Sequence, residues 1–188
     1  MRVILGVSGA SGAALSLAAA GHLRRLGASI DLVVSLAAER TLAAECGPDA
    51  LARLTALCDQ RHDLRDVGAV IASGSSPVAG MLVAPCSMRS LAAISMGLDD
   101  NLLTRAAGVQ LKERRPLVLL AREAPLTLAH LRNMTAVTEM GGIVMPPVPA
   151  FYMCPRTTDE IVQQIAARAV DLLHLGRTVA QAWTGDAP

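Results

Sequence analysis

Aromatic residues are nearly missing from this chain, with one Phe, one Tyr and one Trp among 188 residues. The apolar fraction is still 52%, carried mainly by Ala, Leu and Val. Small apolar side chains suit helices packed closely on a parallel sheet, and the shortage of rings argues against aromatic platforms for single-stranded nucleic acid. A charge of one sign is missing too. The 17 basic and 16 acidic residues leave a formal net charge of +1, with no basic block beyond residues 112–115. Such a balance supports no nucleic acid or other polyanion as partner.

The four cysteines, Cys46, Cys58, Cys86 and Cys154, lack both CxxC and zinc-type spacing and are expected as free thiols in a reducing cytoplasm. His22, His62, His130 and His174 are scattered without ligand spacing, so no metal site is expected. A serine-hydrolase elbow, G-x-S-x-G, is also missing. The apolar start is broken by Gly6, Ser8, Gly9, Ser11 and Gly12, which disfavours a signal peptide. No continuous apolar stretch is long enough to cross a bilayer, so no membrane association is expected. The length fits one domain over residues 1–188, with a tail from about residue 177.

Against these absences stands the stretch from 111 to 125, LKERRPLVLLAREAP. Charges and Pro116 precede an unbroken apolar run at 117–121, the pattern of a strand buried on both faces. Arg122 and Glu123 follow where the strand leaves the sheet, the edge at which open α/β sheets bind ligands. Further strands are predicted at 3–7, 30–34, 81–84 and 143–145. Helices are predicted at 13–26, 36–46, 51–58, 88–96, 99–113 and 126–140, and from Thr157 or Thr158 to about 176. Asp99 or Asp100 is the expected cap of the fifth helix, and 61–66 reads as a charged loop. Alternation of strand and helix implies an α/β fold, a three-layer doubly wound parallel sheet of flavodoxin-like or Rossmann-like type.

The turn Ser8 to Gly12, SGASG, between a strand and a helix has the make-up of a phosphate cradle. Its glycines run G-x-x-G-x-x-G, and Ser35 stands where a dinucleotide fold would place an acid, which favours a mononucleotide over NAD. Read at the carboxyl edge, the strands deliver Ser11, Ser35, Ser87, Arg122 with Glu123, and Tyr152. Hydroxyls, a guanidinium and glycine turns suit a phosphate and a flat polar ring. Arg105 and Lys112, seven apart, share one helix stripe, and Glu45 is open to either a structural or a functional reading.

SGASG, SGSS, APCS, NLLTRAAGVQLKERRPLVLLAREAP, HLRNM and MPPVPAFYxxP, in this order, resemble the UbiX family of flavin prenyltransferases. The resemblance implies a flavodoxin-like subunit of a homododecamer with active sites between subunits. It implies that dimethylallyl monophosphate and reduced FMN give prenylated FMN, which passes to a UbiD-type decarboxylase. Position by position, Gly9, Ala10, Ser11 and Ser35, with Ser87, Met88, Arg89 and Ser90, match the FMN segments, and Arg122 matches a residue bridging flavin and phosphate. Tyr152 and Arg168 match donor-phosphate ligands, and Arg105, Lys112 and Glu123 match the rest of that polar pocket. Glu45 and Ser11 match a pair that handles the proton on flavin N5. The alternatives are a related FMN-dependent cysteine decarboxylase, whose catalytic His and P-x-M-N-x-x-M-W segment are not found here, and a non-catalytic flavin carrier. Some members carry a Trp near the position of Val67, so the donor preference stays open.

Overall fold

The apolar runs form the middle of a six-stranded, all-parallel sheet in a computed structural model that describes residues 1–185. The strands are β1 (Arg2–Val7), β2 (Ser29–Val34), β3 (Gln60–His62), β4 (Met81–Cys86), β5 (Leu117–Ala121) and β6 (Ile143–Val144). Their order is β3-β2-β1-β4-β5-β6, the dinucleotide-fold arrangement. Without the three-residue edge strand β3, the other five follow the flavodoxin order, so both expected descriptions meet in one sheet.

Alternation along the strands divides the core into two layers. Val3, Leu5 and Val7 of β1 face α1 (Ala14–Arg25) and α7 (Thr158–Asp171), whereas Ile4 faces the other side. There it joins residues of α4 (Met88–Ser95), α5 (Leu102–Lys112) and α6 (Leu128–Glu139). Ala18, Ala19 and Ala20 of α1 and Ala166 and Ala169 of α7 are buried in the first layer. Small residues let these helices lie close, and among the described residues no Phe, Tyr or Trp is buried. The remaining helices, α2 (Leu36–Cys46) and α3 (Ala50–Ala56), follow β2.

The structure corrects several expectations. Part of the charged loop is β3, where His62 of β3 and Arg2 of β1 both bond to the buried Asp31 of β2. Helix α5 is capped by Asn101, whose side chain accepts the Thr104 N–H at 3.1 Å, while Asp99 and Asp100 pair with Arg105 and Arg89. Helix α6 starts at Leu128, because Thr127 and His130 form a reciprocal capping box. Helix α7, capped by Thr157, stops at Asp171, and residues 178–183 fold back along it. Residues 186–188 of the expected tail lie outside the described residues.

Candidate active site

The strand order reverses between β1 and β4, and there the carboxyl ends are joined by hydrogen bonds. The Ser8 hydroxyl donates to the Pro85 carbonyl at 3.2 Å and accepts the Ser87 N–H at 2.7 Å. Ser35 N–H reaches the Val7 carbonyl at 2.9 Å, and Arg122 N–H reaches that of Cys86 at 3.1 Å. Four adjacent strands thus present their following turns as one rim. Ser8, buried at 1% exposure, was not among the expected site residues. The signal for it was its place as the first residue after a buried strand.

Gly9 sits where this rim is tightest. A Cβ there would fall on the Cβ of Ala37, closer than two carbons can approach. The SGASG turn therefore lies directly against the start of α2, with Ala10 buried. Gly12 adopts φ 103°, a conformation that favours glycine.

The first turn of α1 is not an open phosphate cradle. Its Gly12 and Ala13 N–H groups both donate to Oε2 of Glu45, each at 2.8 Å. Burial pushes the Glu45 carboxyl up, but the Ala13 N–H, the Ser11 hydroxyl, the Gly12 N–H and the Arg122 charge outweigh it and hold it below the usual range. A phosphate placed there would meet a carboxylate. The N-termini of α2 and α4 carry serines instead: Ser35 accepts the Ala38 N–H at 3.2 Å, and Ser87 accepts that of Ser90 at 3.3 Å. The Ser87 hydroxyl also donates to that of Ser90 at 3.2 Å. Met88 and Arg89 open α4, and Arg89 pairs outward with Asp100. Serine hydroxyls, helix N-terminal N–H groups and the exposed Arg122 form a donor set that fits the phosphate of a mononucleotide. Cys86 of APCS is no nucleophile, since complete burial pushes its thiol up to about 12.

The other expected residues lie elsewhere in the chain. Arg105 is in the first turn of α5, bonded to Asp99 at 2.8 Å. Lys112 ends α5, paired with Glu113, just before β5 begins, and so stands at the amino edge of the sheet. The SGSS loop belongs to that edge as well, its Gly74 and Ser76 carbonyls held by the Arg115 guanidinium at 2.6 and 2.9 Å. Glu123 is exposed and accepts the Ala124 N–H at 3.0 Å. Tyr152 lies in a 3-10 turn, Phe151–Met153, beyond the strand end expected for it. With Arg168 and Trp183 it lines a groove of about 310 Å³. One subunit therefore gathers Gly9, Ala10, Ser11, Ser35, Glu45, Ser87 and Arg122 at the strand reversal. It leaves Lys112 at the opposite edge and Tyr152 with Arg168 in a groove of their own.

Comparison with known proteins completes the description. Residues 1–170 match the Flavoprotein family. The flavin prenyltransferase UbiX of Neisseria meningitidis serogroup B is 51% identical over 186 residues, covering 98% of this chain and 97% of that protein. The crystal structure of AnUbiX (PadA1) in complex with FMN and dimethylallyl pyrophosphate is 42% identical with a TM-score of 0.92, covering 98% of this chain and 97% of the other. The dodecameric FMN-dependent UbiX-like decarboxylase of Escherichia coli O157:H7 is 44% identical with a TM-score of 0.93, covering 98% and 100%. The FMN-dependent cysteine decarboxylase TvaF, at 15% identity and a TM-score of 0.63 over 91% of this chain and 98% of the other, shares the fold alone.

Proposed function

Because the chain belongs to the Flavoprotein family, and within it to the UbiX flavin prenyltransferases, we propose that it transfers the dimethylallyl group of dimethylallyl monophosphate to N5 and C6 of reduced FMN. The products are prenylated FMN and phosphate. The observation that carries this reading is the joined rim at the strand reversal, which brings the serine-capped starts of α2 and α4 together with Arg122 and, at the SGASG turn, the Glu45 carboxylate.

In this reading Gly9, Ala10, Ser11 and Ser35, with Ser87, Met88, Arg89 and Ser90, would hold FMN. Bound reduced flavin supplies the nucleophilic nitrogen and carbon. Arg122 spans flavin and donor phosphate. Glu45 is ionised at neutral pH and receives a proton through the Ser11 hydroxyl, which contributes to its lowered pKa. Arg105, Lys112, Arg122 and Arg168 stabilise the departing phosphate, with Tyr152 as a hydroxyl ligand and Glu123 as the acid that shares its proton. Lys112, Tyr152 and Arg168 stand apart from the rim within one chain, so neighbouring copies supply them. A homo-oligomer, a dodecamer in this proposal, is then a condition of activity. Residues 1–188 act as a single flavoprotein domain, and the product passes to a UbiD-type decarboxylase. Among the described residues no helix is long and apolar enough to cross a membrane. A reducing cytoplasm is the proposed setting, in keeping with four free cysteines.

Anaerobic incubation with reduced FMN and dimethylallyl monophosphate, followed by mass spectrometry, tests the proposal. The expected result is a flavin heavier by one dimethylallyl unit. A parallel incubation with the pyrophosphate sets donor preference, and an unchanged flavin with both donors overturns the reading.

A further inference from the structure

Among the described residues the core holds no Phe, Tyr or Trp, and two of the chain's three such residues, Tyr152 and Trp183, stand around one groove. The rings meet edge to face, with centroids 5.0 Å apart at 80°. One wall of that groove is not a helix or strand. Thr178, Ala180, Gln181, Ala182 and Trp183 supply it from the segment that follows α7.

Four hydrogen bonds fix this segment. Asp171 accepts the Val179 N–H at 2.7 Å through Oδ1 and the Ala180 N–H at 3.1 Å through Oδ2. Gln164 donates through Nε2 to the Gln181 carbonyl at 3.1 Å and accepts the Gln181 N–H at 3.4 Å. Gln164, Arg168 and Asp171 are spaced four and three apart on α7 and so share one face of it. The outer two hold the backbone of the segment, and the middle one is the groove's guanidinium. An aspartate three residues beyond an arginine on a helix is within pairing reach of it. Here both carboxylate oxygens are engaged by N–H groups, and Arg168 has no salt bridge among the described residues. Among the described residues its charge is left for an anion.

We propose that Gln164 and Asp171 are positioning residues that fasten residues 178–183 as a strap along the groove, setting Trp183 against Tyr152 and keeping Arg168 unpaired for the phosphate-bearing donor. The identity of that donor rests on the prenyl-transfer reading, whereas the fastening does not. Tyr152 and Arg168 are the groups that meet the phosphate. Gln164 and Asp171 act through them.

Trp183 is the only tryptophan, so its emission reports the strap directly. The test compares the full-length, FMN-loaded wild type with Asp171→Ala, Asp171→Glu and Gln164→Ala. The readouts are acrylamide quenching of Trp183, FMN affinity, and KM and kcat for dimethylallyl monophosphate. Asp171→Ala is expected to raise quenching at least about twofold and KM about tenfold, the scale of one or two lost hydrogen bonds, with FMN affinity unchanged. Asp171→Glu keeps both acceptor oxygens and restores much of the protection. Should Asp171→Ala fail to fold by circular dichroism, Gln164→Ala carries the same readouts from the other end of the strap. Unchanged quenching in the folded variants overturns the fastening, and raised quenching with unchanged KM overturns the positioning role. A wild type that transfers no prenyl group defeats the functional reading instead, while quenching still decides whether the strap is fastened.

Discussion

At the scale of single residues, Glu45 shows how a carboxylate can cap a helix and serve chemistry together. It substitutes for the side-chain cap that α1 lacks, accepting two N–H groups where the helix dipole favours negative charge. Because Glu45 is exposed, its contribution to stability is held to about 0.5–1 kcal/mol, the scale of a surface carboxylate at a helix N-terminus. Its folded pKa lies below its ordinary value of 4.5, so this contribution is complete above that pH and is lost as pH falls through the folded value. Glu45→Gln should therefore be less stable than wild type in urea at neutral pH, and the deficit should shrink as pH falls below the ordinary carboxylate range. Glu123 makes the contrasting case: exposed, and bonded only to its own neighbour's N–H among the described residues. Glu123→Gln should keep FMN bound and the fold intact while lowering turnover by about 100-fold or more, the scale of a lost general acid. Single-turnover prenylation with FMN titrated separately distinguishes this from a structural role. Loss of FMN binding would show that Glu123 serves the flavin site.

Elements were legible wherever local pattern decided them. The run Leu117–Ala121, buried throughout, follows directly from its unbroken apolar pattern, and the two faces of β1 follow from strand geometry once 3–7 is read as a strand. Strand β3 did not, because Gln60, Arg61 and His62 carry no apolar signal. What holds it is parallel pairing with β2 and a contact across strands: Asp31, at 2% exposure, accepts from His62 Nε2 at 2.7 Å and from Arg2 at 2.8 Å. Such a partnership between residues 31 apart leaves no local trace in a sequence. Burial pushes the Asp31 carboxyl up, but the Arg2 and His62 hydrogen bonds and charges outweigh it, and the net shift is downward from 3.8. Its stabilisation is therefore present above that pH and lost as pH falls through the lower folded value. Removing the charge by Asp31→Asn should cost about 2–4 kcal/mol at neutral pH, below the full buried-pair penalty because Arg2 is partly exposed. Hydrogen exchange should show the β2–β3 amides opening first, and the deficit against wild type should shrink in acid.

Across the whole molecule, the rim was legible and its completion was not. SGASG, Ser35, Ser87 and Arg122 all follow strand ends, so counting strands was enough to bring them together. Lys112 ends a helix instead, and its place at the far edge depends on α5 running back along the sheet before β5 starts. The five residues of β5 alone separate Lys112 from Arg122 by about 16 Å of strand, beyond the reach of one small phosphate. If both residues serve one site, two copies of the chain must supply them. Neither Lys112→Ala nor Arg122→Ala should then turn over alone, because each removes one cation from every site. Mixed assemblies made by co-expressing the two variants contain some sites with an intact Lys112 from one copy and an intact Arg122 from another. With random mixing at equal levels, roughly a quarter of sites are intact, and prenylated FMN should form at roughly that fraction of the wild-type rate. Mixed assemblies as inactive as either variant alone would mean that Lys112 and Arg122 act within one subunit, against the position of Lys112 at the amino edge, whereas full turnover by Lys112→Ala alone would mean that Lys112 has no part in the reaction.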